Sequence, residues 1–144
     1  TTVTGASYCD SAIAFGMIRR GRIDVSILGA LQVSKSGDLA NWMIPGKKVP
    51  GLGGAVELAS KANTLIVMMS HTDKTGQSKI VGNCSLPLTA KSCVDLIITE
   101  LAVFRINDGQ LILTEYFNTT SVDEIKEKTA CDFQVDENLK VIPY

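Results

Sequence analysis

Residues 45–54, PGKKVPGLGG, hold four of the chain's 12 glycines and two of its four prolines, directly ahead of a helix-like run. Ordered glycine costs backbone entropy, so a cluster this dense marks a backbone that has to come close to something. In GLGGA (residues 51–55), unshielded N–H groups at a helix start point outward and bare α-carbons let a ligand approach. Gly53 and Gly54 can set amide hydrogens around a developing oxyanion, a role that carries a large share of acyl-transfer catalysis. The pattern is neither a P-loop, which ends in Gly-Lys-Ser/Thr, nor a dinucleotide GxGxxG. A tight strand-to-helix turn packed against a neighbour reads the same residues equally well.

Other reactive side chains are scattered. His71 is the chain's only histidine. It follows an apolar run, where strands deliver catalytic groups, but no Ser or Cys elbow motif accompanies it, and a hydrogen-bonded structural histidine is the expectation. Glu57 lies on the helix after the loop, Glu100 ends a helix-like segment, and Glu115 sits on a β-rich run. Each has the chemistry of a nucleophile or base, and each is equally readable as a solvated or capping group. Lys47 and Lys48 can bind a phosphate or simply stand in solvent. Cys9, Cys84, Cys93 and Cys131 form no CxxC pair and have no histidine at zinc-site spacing. Reduced, mostly buried thiols and no metal are expected.

The elements around the loop follow from periodicity and punctuation. Asp10 or Ser11 caps a helix to about Arg20, with Ile13, Ala14, Met17 and Ile18 on one side and Gly21 as its stop. In RIDVSILGA, Ile23, Val25 and Ile27 alternate, predicting a buried strand. Ser36-Gly37-Asp38 marks a turn. A helix is predicted from about Gly54 to Lys61, then a strand in TLIVMM (residues 64–69), apolar on both faces like a parallel strand between helices. Thr89 is expected to cap a short helix in LPLTAKSCVDLIITE. Two β-rich runs flank Asn107-Asp108-Gly109, the signature of a hairpin. Ser121 and Glu124 form a capping box, and CDFQV reads as one more edge strand. The sum is an α/β fold: an open, largely parallel sheet flanked by helices, with a C-terminal antiparallel hairpin. Ligands of such sheets sit beyond the carboxyl ends of the strands.

Composition narrows the partners. The 144 residues suit one domain, 45% are hydrophobic and 20% charged, and 14 basic against 15 acidic side chains leave a net charge of −1. Without a basic block, neither nucleic acid nor an anionic membrane is the expected partner. No apolar run reaches the roughly 18 residues that span a bilayer, and the first residues have no signal-peptide pattern. A first motif so close to Thr1 leads us to expect a fragment or trimmed chain, with some apolar surface of DVSILGA and TLIVMM left exposed.

One long segment, GASYCDSAIAFGMIRRGRIDVSILGALQVSKSGDLANWMIPGKKVPGLGGAVELASKA, resembles the β-subunit half of family I coenzyme A transferases. The resemblance continues through CSLPLTAKSCVDLIITELAVF and KTACDF, and so covers nearly the whole chain. These are the succinyl-CoA:3-ketoacid, acetoacetate and 3-oxoadipate CoA-transferases. The resemblance implies the fold that this family shares with sugar-phosphate isomerases, and residues 1–144 as the C-terminal portion of the β-subunit domain. It further implies ping-pong transfer of CoA between an acyl-CoA (succinyl-CoA or acetyl-CoA) and a 3-oxoacid such as acetoacetate, through a glutamyl-CoA thioester, with CoA as substrate and no cofactor. Gly53, Gly54 and Ala55 become the oxyanion donors or walls of the acyl site, and Asn41 and Lys47 candidates for contact with CoA. The family's nucleophilic Glu belongs to a Glu-x-Gly motif upstream of GASY, and no glutamate here stands in one. The chain is therefore expected to be inactive alone and to need an α subunit or fused α half. A non-catalytic ligand-binding relative of the same fold is the alternative. Bacterial cytoplasm or mitochondrial matrix is the expected compartment.

Overall fold

The structure is a computed structural model that describes residues 2–46, 51 and 53–143. In chain order the elements are α1 (Ser11–Arg19), β1 (Val25–Leu28), β2 (Gln32–Ser34), β3 (Leu39–Ala40), α2 (Ala55–Lys61), β4 (Thr64–Met68), β5 (Ile80–Val81), β6 (Leu96–Ile98), β7 (Ala102–Asn107), β8 (Gln110–Phe117), α3 (Val122–Lys128) and β9 (Gln134–Ile142). A six-stranded sheet runs β1-β4-β6-β7-β8-β9, and a three-stranded sheet runs β3-β2-β5. β1, β4 and β6 are parallel, the β7–β8 hairpin is antiparallel, and β9 returns parallel to β8.

Local chemistry explains the boundaries. The Asp10 carboxylate accepts from the Ile13 N–H at 2.9 Å and caps α1. Gly21, at φ 64°, closes its other end. Asp108 and Gly109 both take positive φ (50° and 73°), the left-handed pair that a two-residue hairpin turn needs to follow strand twist. Gly37, also left-handed at φ 87°, makes the turn between β2 and β3, where a Cβ would lie 3.0 Å from the Val94 carbonyl oxygen. Ser121 Oγ accepts from the Glu124 N–H at 3.2 Å, while the Glu124 carboxylate takes Thr120 Oγ1 and Lys128 Nζ.

The core lies on one face of the large sheet. Leu65, Val67, Ile97, Phe104 and Leu113 are fully buried there with Ile125 of α3 and Ala59 of α2. Two expectations fail on the opposite face. The alternating residues of β1 point outward: Val25 is 49% and Ile27 59% exposed, and it is Ser26 that faces the core. Met68 of β4 is 53% exposed on the same side. Cover on this face is partial, with Ile66, Leu96 and Ile98 half-buried beside the exposed residues, although parallel sheets are ordinarily covered on both sides. The exposed apolar surface expected for DVSILGA and TLIVMM is thus present. Ile13 and Met17 of α1 are likewise exposed, and only Ile18 of that apolar side is buried.

The short helix expected after Thr89 is absent. Its apolar residues form β6, paired with both β4 and β7, because a brief apolar run reads alike for helix and strand and here the sheet has a slot for it. Glu100 therefore stands in the turn leaving a strand, not at a helix end. The expected last strand is displaced: Cys131, Asp132 and Phe133 precede it, and the edge strand β9 shares only Gln134 and Val135 with CDFQV before running on to Ile142.

Candidate functional site

β1, β4 and β6 point their carboxyl ends the same way, which brings Gly29, Ser70, His71, Thr99 and Glu100 to one rim of the sheet. The segment carrying the glycine loop leaves β3 at Asn41 and ends at α2. Asn41 is fastened to this rim: its Nδ2 donates to the Gly29 carbonyl at 3.2 Å, and its Oδ1 accepts from Thr89 Oγ1 at 2.7 Å. Trp42 Nε1 donates to the Leu88 carbonyl at 3.3 Å. The amide offered to CoA by the sequence is thus engaged twice within the chain. Lys47 and Lys48 lie outside the described residues.

The glycines of the loop serve different ends. Gly46, Gly51 and Gly53 take φ of 82°, 106° and 53°, where a side chain is disfavoured on any backbone. A Cβ on Gly53 would meet none of the described residues within 4 Å. Gly54 has an ordinary φ of −85°. Its reason is packing: a Cβ there would lie 2.0 Å from Phe15 Cζ, because the ring of α1 sits on the bare α-carbon. Both readings of the loop therefore have a footing, one at Gly53 and the other at Gly54.

Gly54 is the N-cap of α2 and supplies no side-chain hydrogen bond to it. The first N–H groups of a helix have no partners within it, and they carry its partial positive charge. At Ala55 the loop thus ends in amides with the polarity that a developing oxyanion requires. Glu57, in the same turn, bonds Arg19 of α1 at 2.8 Å. That contact ties α2 to α1 and holds the Arg19 guanidinium above its usual pKa, through the hydrogen bond first and the charge of Glu57 second. Both partners are partly exposed, so solvent screens the pair.

The three carboxylates named from sequence stand apart. Glu57 is on α2 with Arg19, Glu100 Oε2 accepts from the His71 N–H at 2.9 Å, and Glu115 is opposite Lys140 in the β8–β9 register. No group of three or more His, Cys, Asp or Glu side chains suited to a metal occurs among the described residues. All four cysteines are free, with Cys9 exposed and the other three half-buried. Burial pushes the Cys84, Cys93 and Cys131 thiols up to about 11, which makes them poor nucleophiles near neutral pH.

His71 is a structural histidine, as its isolation in the sequence led us to expect. It is fully buried, with Nδ1 3.1 Å from Thr99 Oγ1 and Nε2 3.0 Å from Thr129 Oγ1. The Thr129 hydroxyl also reaches the Ile125 carbonyl at 2.6 Å and that of Thr99 the Ala102 carbonyl at 3.1 Å, so both ring nitrogens have a hydroxyl partner in either neutral tautomer. Burial lowers the pKa of the ring, against a smaller opposing pull from Glu100. The neutral imidazole ties the exit of β4 to the β6–β7 turn and to the end of α3. Thr99, Thr129 and Phe15, all decisive here, escape sequence reading because an isolated threonine or phenylalanine carries no spacing signal, and Thr89, expected as a helix cap, instead bonds Asn41.

A family model described as coenzyme A transferase matches residues 1–128. The chain belongs to the coenzyme A transferase family. It is 56% identical over 134 residues to the β subunit of a probable coenzyme A transferase of Bacillus subtilis, spanning 93% of this chain and 62% of that relative. It is 53% identical over 142 residues to the mouse mitochondrial succinyl-CoA:3-ketoacid coenzyme A transferase 2B, 97% of this chain and 27% of that protein. Among solved structures, the acyl-CoA transferase YdiF of Escherichia coli superposes with a TM-score of 0.83 at 20% identity, over 97% of this chain and 32% of the other. A variant of the decarboxylase AibA/AibB superposes at 0.77 with 25% identity, over 92% and 56%. This member of the coenzyme A transferase family thus spans less than two thirds of the length of these relatives.

Proposed function

We propose that this chain forms part of an enzyme that moves CoA between an acyl-CoA, succinyl-CoA or acetyl-CoA, and a 3-oxoacid, acetoacetate foremost. The observation that carries this reading is the glycine loop, which ends in an α2 terminus with no side-chain cap, in a chain of this family. The nucleophile is a glutamate outside these residues. Its carboxylate attacks the thioester carbonyl, and the tetrahedral oxyanion collapses to a mixed anhydride with CoA thiolate leaving. The thiolate attacks the glutamyl carbonyl, which releases the first acid and leaves a glutamyl-CoA thioester. The acceptor acid then runs both steps in reverse, so one hard exchange becomes several easier ones.

The part of residues 53–55 is electrostatic. Their N–H groups hold each oxyanion as it forms, and the missing side chain at Gly53 leaves room for the acyl group. Both the nucleophile and an α subunit, or fused α half, complete the site, so the chain alone is inactive. Bacillus subtilis relatives that are themselves named as one subunit of a transferase support such a pairing. The test is CoA transfer from succinyl-CoA to acetoacetate, followed as acetoacetyl-CoA formed. Activity is expected in the full-length parent with its partner and none in the 144-residue chain; an inactive parent overturns the reading.

A further inference from the structure

We infer that Asn41 and Thr89 are positioning residues, a reciprocal clamp that sets the incoming stem of the glycine loop against the carboxyl end of β1. The inference rests on the loop's role at the acyl site proposed above. Asn41 is the first residue after β3 and lies four residues ahead of Pro45. Its backbone N–H donates to Thr89 Oγ1 at 3.2 Å, and the same hydroxyl returns its hydrogen to Asn41 Oδ1 at 2.7 Å. Each residue is thus donor and acceptor to the other. That exchange fixes which way the amide faces, because turning it over would set an oxygen against the Gly29 carbonyl and a second donor against an oxygen already accepting. With the amide so fixed, Nδ2 reaches Gly29, the residue after β1.

Thr89 is itself held rigidly. It is only 9% exposed, its N–H donates to the Leu39 carbonyl at 2.7 Å, and the Leu39 N–H donates to the Ala90 carbonyl at 2.9 Å. The bond from Trp42 to Leu88 adds a second tie between the same two segments. At the far end of the loop, Phe15 seats on Gly54 and Arg19 holds Glu57. The described residues on either side of the loop are each held: Asn41 and Trp42 by residues 88–89 and by Gly29 after β1, and Gly54 and Glu57 by α1. Oxyanion donors act only within a narrow geometry, and a displacement of about 1 Å far from the chemistry can cost about a hundredfold in rate. A clamp of this kind acts on turnover more than on ground-state binding.

The experiment compares Thr89→Val, Thr89→Ser and Gly53→Ala in the full-length parent with its partner subunit, measuring kcat and KM for the acyl-CoA. Val removes the hydroxyl at nearly constant shape, Ser keeps it, and Gly53→Ala places a methyl, at φ 53°, where none of the described residues lies within 4 Å. We expect Thr89→Val to lower kcat about 10- to 100-fold with KM within about twofold, and Thr89→Ser to restore kcat. If Thr89→Val does not accumulate as folded protein, Asn41→Ala is read by the same criterion. A full kcat in Thr89→Val alongside a lowered kcat in Gly53→Ala overturns the clamp and leaves the loop's role standing. If Val and Ser fall alike, or KM rises as far as kcat falls, the clamp is also overturned. Full kcat in both Thr89→Val and Gly53→Ala overturns the loop's role as well.

Discussion

Phe15 of α1 lies where a Cβ of Gly54 would be, 2.0 Å from its Cζ, so a glycine at the end of the loop answers to a phenylalanine 39 positions earlier. Gly54, the start of α2 and the first helix are one packed unit. Gly54→Ala should therefore lower the unfolding free energy by overpacking, on the order of 1–3 kcal/mol, and Tm with it. Adding Phe15→Leu should recover part of that loss, a coupling that a double-mutant cycle measures. Strict additivity of the two changes would separate the residues. A fall in turnover on placing Val at Gly54 is, for the same reason, first a packing effect, whereas Gly53→Ala has no such clash and carries only the strain of a side chain at φ 53°.

His71 gives the fold a pH signature. The folded-state pKa is lowered by burial, so below the unfolded value of about 6.5 the unfolded chain takes up protons that the folded chain refuses. The stability contribution is complete above that value and is lost as pH falls from about 6.5 toward the folded pKa. Each pH unit in that window removes at most about 1.4 kcal/mol. Glu100 and Lys128 are the charged groups acting on the ring, the first favouring and the second opposing protonation. Because His71 is the only histidine, His71→Gln should lower Tm at pH 7 and flatten its decline between pH 6.5 and 5. An unchanged slope in that variant would assign the pH dependence to the carboxylates.

The partly covered sheet face predicts association. Val25, Ile27 and Met68 share one side of β1 and β4, and β1 has a free edge among the described residues. In isolation the 144-residue chain should scatter light as dimers or larger species, because exposed apolar surface of this kind seeks cover. Ile27→Glu should shift it toward monomer. A strictly monomeric, stable chain would mean that the face tolerates water.

Much of the framework was legible because punctuation is local. Asp10 and Ser121 cap helices, Gly21 ends one, and Asp108-Gly109 turns a hairpin by side-chain and backbone chemistry that needs no tertiary context. The segment after Thr89 was not legible, since a three-residue apolar strand becomes a strand only through partners on both sides, and neither β4 nor β7 is announced as its partner by any local signal. The outward face of β1 was misread for a related reason: alternation fixes two faces and does not say which one meets a core. At the site, the loop announced itself through its glycines. The division of labour between Gly53 and Gly54, and the Asn41–Thr89 exchange, depend on α1 and on residues 88–90, which no spacing rule connects to the loop.

The most direct measurement is covalent trapping in the full-length parent with its partner subunit. The protein is incubated with acetoacetyl-CoA, reduced with borohydride, and mapped by mass spectrometry. Modification of a single glutamate outside these 144 residues, formed only with CoA substrate, is the predicted result, and it makes this chain the oxyanion-loop portion of a CoA-transferase site. A parent that binds acetoacetyl-CoA but carries no adduct on any glutamate would contradict it, and the glycine loop would then be a binding feature without transfer chemistry.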